Sequence, residues 1–283
     1  VLAAAAALAL GLSGGTGHGH VATGSRGPGA GAGAPRTRTA VAVFRPGTGY
    51  PETAAVRRLI ALGRPIYCAP NRGNEVALTF DDGPGPYTRL MLDKLRKHHV
   101  EATFFIVGRN VALAPSLLPR ERRAGAVGDH TFTHPLLTSL PAAEQETQLA
   151  NTQTTVARAS GGPVFLFRPP YGAHDARTDR IARSRGLLEI LWNVDSRDSL
   201  GASYAQIERT VVDGLRPGSI ILMHENHGQT VRAMLTIFSA LQRRHLRAVS
   251  VPQLLSDDPL SAAQVRAGGA ACGLGARAAL KGD

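Results

Sequence analysis

Two aspartates stand side by side at Asp81-Asp82, after a run in which Val76, Leu78 and Phe80 take alternate positions and before the chain-breaking pair Gly83-Pro84. The alternation predicts a buried strand with the acids at its end. Adjacent carboxylates leaving a hydrophobic strand resist desolvation and repel each other unless a cation or hydrogen-bond donors meet them. Asp and Gly also favour plain turns, so the pair gains its meaning from groups elsewhere. His130 and His134 are four apart, and one helical turn would set both imidazoles on one face as nitrogen ligands for a metal ion. Arg168-Pro169-Pro170-Tyr171-Gly172 is a stiff turn that can aim a cation and present a backbone amide. Asp195-Ser196-Arg197-Asp198 offers further carboxylates, and His224 ends the apolar run 219–223. Glu225, Asn226 and His227 read as a solvated loop.

Each of these groups follows a predicted strand. Strands are expected at 76–80, 102–107, 126–127, 164–167, 187–192, 219–223 and 247–251, and helices at 50–62, 88–99, 111–123 (interrupted by Pro115), 142–159, 175–185, 203–215 and 230–243. Strands alternating with helices imply repeated parallel crossovers, so the economical fold is an α/β sheet closed or nearly closed into a barrel. In such barrels reactive groups sit where strands end. The candidate residues obey that rule.

The 283 residues allow one large domain with tails. Residues 1–12 are almost wholly Ala, Leu and Gly, which is the composition of a secretory h-region and too short for a membrane span. The expected organisation is a partial signal peptide at 1–15, a flexible low-complexity linker at 16–48, an extension at 49–73 packing on the barrel, a catalytic domain at 74–256 and a tail at 257–283. A secreted or envelope-associated protein follows. The formal charge is +11, carried almost entirely by arginine. It favours anionic partners, but the arginines are dispersed, with Arg120, Arg122 and Arg123 expected on a solvated helix face, and no nucleic-acid-binding motif is present. Cys68 and Cys272 allow one disulfide or two free thiols.

Thr79-Phe80-Asp81-Asp82-Gly83-Pro84, His130-Thr131-Phe132-Thr133-His134, Arg168-Pro169-Pro170-Tyr171-Gly172, Asp195-Ser196-Arg197-Asp198 and Leu222-Met223-His224 resemble, in order, the five motifs of polysaccharide deacetylases of the NodB-homology type, carbohydrate esterase family 4. The resemblance spans about 74–255. It implies a distorted (β/α) barrel, a divalent metal, usually zinc with cobalt or another divalent ion as alternatives, and removal of N- or O-acetyl groups from sugars. By this resemblance Asp82, His130 and His134 are the metal ligands and Asp81 is the base, paired with Arg168. The backbone N–H of Tyr171 would stabilise the oxyanion, and His224, raised in pKa by Asp198, would be the acid.

One position departs from the family. The residue after the second aspartate of the fourth motif is usually Trp, which walls the acetyl-methyl slot beside a Leu corresponding to Leu222; here it is Ser199. Pro170, Tyr171, Leu222 and Ser199 are the expected substrate contacts, and the lone Trp192 is a possible substitute wall. The leading expectation is a secreted, monomeric deacetylase acting on peptidoglycan or a chitin-type polymer, with peripheral association to the cell wall. Its rivals are an acetylxylan esterase using the same site and a non-catalytic wall-binding homologue. Nucleic acid, resting on charge alone, is not an expected partner.

Overall fold

The computed structural model describes residues 53–273. The expected signal and linker, the opening of the helix expected from Tyr50, and residues 274–283 lie outside the described residues. Strands β1 (Glu75–Gly83), β2 (Ala102–Ile106), β3 (Gly125–Asp129), β4 (Leu166–Phe167), β5 (Leu188–Glu189), β6 (Val194–Asp195), β7 (Ile220–His224) and β8 (Arg247–Ala248) form one sheet. Its order is β5-β4-β3-β2-β1-β7-β6, with β8 paired to the start of β1, and every ladder is parallel. The sheet curls into the distorted (β/α) barrel expected. It stays open between β5 and β6, where the chain at Tyr67 enters: Ile66 bridges to Ile190 and Cys68 to Ser219.

Helices α1 (Ala54–Leu62), α2 (Thr88–His98), α3 (Leu118–Ala124), α4 (Ala142–Ser160), α5 (Ala176–Ser184), α6 (Tyr204–Gly214), α7 (Gly228–Arg243), α8 (Val251–Asp257) and α9 (Ala262–Ala267) complete the described chain. Local chemistry starts them. Asp175 accepts from the N–H groups of Arg177 and Thr178 at the head of α5, and Ser203 with Gln206 forms a capping box on α6. None of the described helices is long and apolar enough to cross a membrane.

The two faces of β1 decide where chemistry can occur. Val76, Leu78 and Phe80 point outward into a core shared with Met91 and Leu95 of α2 and Ile237 of α7. The intervening residues point into the barrel, where Ala77 joins Phe105, Leu166, Ile190, Val56, Leu59 and Leu254 in a second core. That core fills the end of the barrel where the strands begin. Thr79 and Asp81, on the same inward face as Ala77 by the period of two, are left for the end where strands stop.

Three local expectations change. The helix expected over 111–123 is two short 3-10 turns, Gly108–Leu113 and Pro115–Leu117, before α3 begins at Leu118, since Pro115 starts a new turn rather than kinking a continuous helix. The strand expected over 187–192 stops at Glu189, and the chain makes an additional short strand, β6, on β7. Arg122 is buried and not on a solvated face: its guanidinium donates to Ser160 Oγ and to the carbonyls of Gly162 and Pro163, satisfying acceptors at the end of α4.

Cys68 and Cys272 are joined in a disulfide that closes a separation of 204 residues. Cys272→Ser is expected to lower the free energy of unfolding by about 2–5 kcal/mol, because the open chain recovers loop entropy. Urea denaturation of both proteins checks this, and a loss below about 0.5 kcal/mol would contradict it.

Candidate active site

Asp81 reaches the barrel mouth 2% exposed, and its Oδ1 accepts from Arg168 Nη1 at 2.8 Å. Arg168 has no exposed surface. The same Nη1 donates to Thr79 Oγ1 at 2.8 Å, Nε to the Ile190 carbonyl at 3.0 Å and Nη2 to the Leu191 carbonyl at 3.2 Å. Its Cζ lies 4.2 Å from the Phe105 ring centroid and 5.4 Å from that of Trp192. Burial pulls the guanidinium pKa down and the charge of Asp81 opposes it. A cation held this way fixes one oxygen of Asp81 and leaves Oδ2 facing His130 Nε2, 3.6 Å away.

Asp82, next along, takes φ 71°, which turns its carboxylate away from the strand direction. His130 and His134 do not share a helical turn. They lie in a loop after β3, where Thr131 (φ 64°) and His134 (φ 63°) adopt left-handed conformations, Thr131 N–H is held by Asp129 Oδ1 at 2.7 Å and His134 N–H by Thr131 Oγ1 at 3.1 Å. The rings nonetheless meet, with centroids 4.9 Å apart. Asp82 Oδ1 lies 3.7 Å from His130 Nε2 and 3.4 Å from His134 Nε2.

The donor set suits a divalent cation. One ligand atom from each of Asp82, His130 and His134 lies within 4.8 Å of the others. His130 Nδ1 donates to the Arg168 carbonyl at 2.7 Å, which fixes the tautomer and leaves Nε2 with its lone pair toward the cluster. Burial works against the Asp82 charge, but the imidazoles of His130, His224 and His134 outweigh it and hold the carboxyl below its usual range. Burial and His130 push the His134 pKa down. An anionic carboxylate beside a neutral imidazole is the state that cation binding requires.

At the neighbouring strand end, His224 sits opposite Asp81 in the β1–β7 register. Its Nδ1 hydrogen-bonds Asp198 Oδ1 at 2.7 Å, and its backbone N–H donates to Asp198 Oδ2 at 2.7 Å. Thr230 Oγ1 and the Ser199 N–H also donate to that carboxylate. Burial opposes the His224 charge, yet the bond to Asp198, with the nearby Asp81 and Asp82, raises its pKa to about 9. Tyr171, at φ 62°, is half exposed and sets its ring 4.9 Å from that of His134. Leu222 and Pro170 are buried, whereas Ser199 is exposed on the turn Asp198–Leu200. Trp192 backs the Arg168–Gly172 turn: a Cβ on Gly172, itself at φ +66°, would stand 2.8 Å from the indole.

The polysaccharide deacetylase family model matches residues 69–190. Over 194 residues the chain is 34% identical to the peptidoglycan-N-acetylglucosamine deacetylase of Bacillus cereus, covering 66% of this chain and 70% of that protein. This chain belongs to the polysaccharide deacetylase family. It is also 35% identical to the chitooligosaccharide deacetylase of a Bradyrhizobium strain, over 63% of this chain and 90% of that one. A family 4 carbohydrate esterase from Streptomyces lividans, solved with acetate, superposes with a TM-score of 0.61 at 38% identity, over 64% of this chain and 95% of the esterase.

Around this deacetylase site stand residues the motif reading passed over. Asn226 Nδ2 donates to Asp82 Oδ2 at 3.3 Å, and Asn110 Nδ2 to the Asp82 carbonyl at 2.9 Å. Glu225 is fully buried and accepts from Thr88 Oγ1, with burial pushing its pKa to about 8. The solvated loop expected at 225–227 is therefore wrong for Glu225 and Asn226, while His227 is half-buried, its ring 5.8 Å from that of His224. Thr79 was legible, being two residues before Asp81 and so on the same face. Asn110 carried no signal, because its loop meets Asp82 only in the folded chain.

Proposed function

We infer that this polysaccharide deacetylase removes N-acetyl groups from an N-acetylglucosamine-containing polymer, of the peptidoglycan or chitin type, outside the cytoplasm. The observation that carries the reading is the Asp82, His130 and His134 cluster beside an aspartate pinned by a buried arginine. Asp82, His130 and His134 would hold the divalent ion, with zinc the best match to two imidazoles and one carboxylate. The chemistry such an ion supplies when bound is Lewis acidity, which acidifies water and polarises the acetyl carbonyl.

The chain's own groups divide the remaining work. Asp81 Oδ2 accepts the proton of the attacking water while Arg168 keeps Oδ1 fixed. The Tyr171 N–H donates to the oxygen on which negative charge develops. An amine leaves readily only when protonated, and His224, held charged by Asp198, gives its proton to the departing nitrogen. Leu222 and Pro170 would border the acetyl group. The Cys68–Cys272 disulfide supports an oxidising compartment, and the arginine-rich charge supports peripheral contact with an anionic wall.

The test is acetate release from peptidoglycan, chitin oligomers and acetylxylan, with and without a chelator. Release from one of the first two, abolished by chelation and restored by zinc, is expected. Release from acetylxylan alone would make the protein an esterase, and sedimentation with walls without any release would make it a binding homologue.

Ser199 bears on rate. Ser at this exposed position would leave the methyl slot without the wall that Trp gives it in the family, so Ser199→Trp is expected to raise kcat/KM on the order of tenfold, the scale of a modest gain in apolar contact. Unchanged or lower kcat/KM would show that the slot is already closed.

A further inference from the structure

Away from this site, a second set of side chains converges where β5, α5 and the chain at Tyr67 meet. His174 Nδ1 lies 2.9 Å from Asp179 Oδ1 and 3.5 Å from Glu189 Oε1. One ligand atom from each of the three lies within 4.8 Å of the other two. Glu189, in edge strand β5, is 4% exposed, and among the described residues its carboxylate oxygens meet the Asp179 carboxyl and His174 but no other donor.

An ion pair alone accounts poorly for that carboxylate. His174 can carry at most one positive charge, and its Nδ1 is already directed at Asp179, so Glu189, whose carboxyl burial pushes up to about 8, must either hold a proton against Asp179 or be neutralised by a further cation. A buried carboxylate with no other donor is costly to keep. We propose that His174, Asp179 and Glu189 form a second divalent-cation site, of the zinc type, at the seam of the barrel.

A doubly charged ion neutralises both carboxylates. Ligand atoms about 2.0–2.2 Å from zinc stand roughly 3.4 Å apart in a tetrahedron, near the separations found here. Without an ion Nδ1–H donates to Asp179 Oδ1; on binding a cation Nδ1 would give up that proton, and Nε2–H can then donate to the Tyr67 hydroxyl, 3.4 Å away. The His174 and Asp179 side chains are 21% and 16% exposed, so the ion has a path in and water can complete its shell. Glu189 lies in β5, Asp179 lies in α5, and Tyr67 lies between the two residues that bridge the open seam. A cation here would clasp edge strand β5 to α5 and, through the Tyr67 bond, to the entering chain.

The test counts zinc on the metal-stripped full chain by equilibrium dialysis, alongside thermal unfolding. Glu189→Gln is expected to bind one equivalent fewer than the wild type, as is His134→Ala, and the double variant two fewer. The zinc-induced rise in Tm that persists in His134→Ala should shrink or vanish when Glu189→Gln is added. Asp179→Asn, at the partly exposed edge of the cluster, gives the same readout should the Glu189 variant misfold. Wild-type stoichiometry in both Glu189→Gln and Asp179→Asn would overturn the site and leave a buried cluster that shares a proton. These readouts do not use acetate release, so they stand apart from the activity inferred above.

Discussion

Asp81→Asn is expected to lower kcat for acetate release by about 10²–10⁴-fold, the usual cost of losing a general base. The same substitution should also destabilise the protein by about 3–5 kcal/mol, since it strands a charged partner in the interior. The second effect follows from the arginine. Arg168 has no exposed surface, and among its acceptors Asp81 is the one that carries charge; Thr79 Oγ1 and the carbonyls of Ile190 and Leu191 are neutral. Asn preserves the shape and one acceptor but not the charge. Acetate-release kinetics and urea unfolding of the same preparation measure both quantities. Activity within threefold of wild type would remove Asp81 from the role of base, and unchanged stability would mean that the carbonyls alone suffice for Arg168.

Removing the acid should be nearly as costly. His224→Ala is expected to lower kcat by about 10²–10⁴-fold on N-acetyl substrates. The pH profile is the sharper readout. The acid works while protonated, so activity should fall as pH rises past the His224 pKa, which the bond to Asp198 holds above the ordinary histidine value. Asp198→Asn removes that carboxylate and should move the alkaline limb downward, toward the ordinary histidine value of about 6.5. Stability follows the same linkage. A histidine whose folded pKa lies above its unfolded value contributes stability that is complete below about pH 6.5 and is lost as pH rises through about 9. Urea midpoints of the metal-stripped protein across that range should decline for the wild type and decline less for His224→Ala. An alkaline limb unmoved by Asp198→Asn would assign the limb to another group.

Much of this molecule could be read from residue order alone. Alternating apolar positions in 76–80 located β1, and the repeated strand–helix alternation implied a parallel barrel with its reactive groups at strand ends. Those inferences hold because periodicity and turn chemistry are local properties that the fold cannot easily override. Where neighbours in space decided the outcome, order was not enough. A spacing of four suggested a helical turn for His130 and His134, but the left-handed residues Thr131 and His134 bring the rings together in a loop. Arg122 looked like surface charge until the end of α4 supplied its acceptors. Glu225 and Asn226 looked solvated, yet one is sealed against Thr88 and the other holds Asp82.

Sequence by itself determined the class of fold, the identity of the ionisable groups and the family to which they point. Tertiary structure alone decided which atoms of those groups face one another: the Asp81 oxygen left free by Arg168, the His130 nitrogen left free by a carbonyl 38 residues away, and the cluster at His174, Asp179 and Glu189. The division has one physical cause. Secondary structure is written in short-range periodicity, whereas the state of a buried charge depends on desolvation and on partners that only the folded chain brings within a few ångströms.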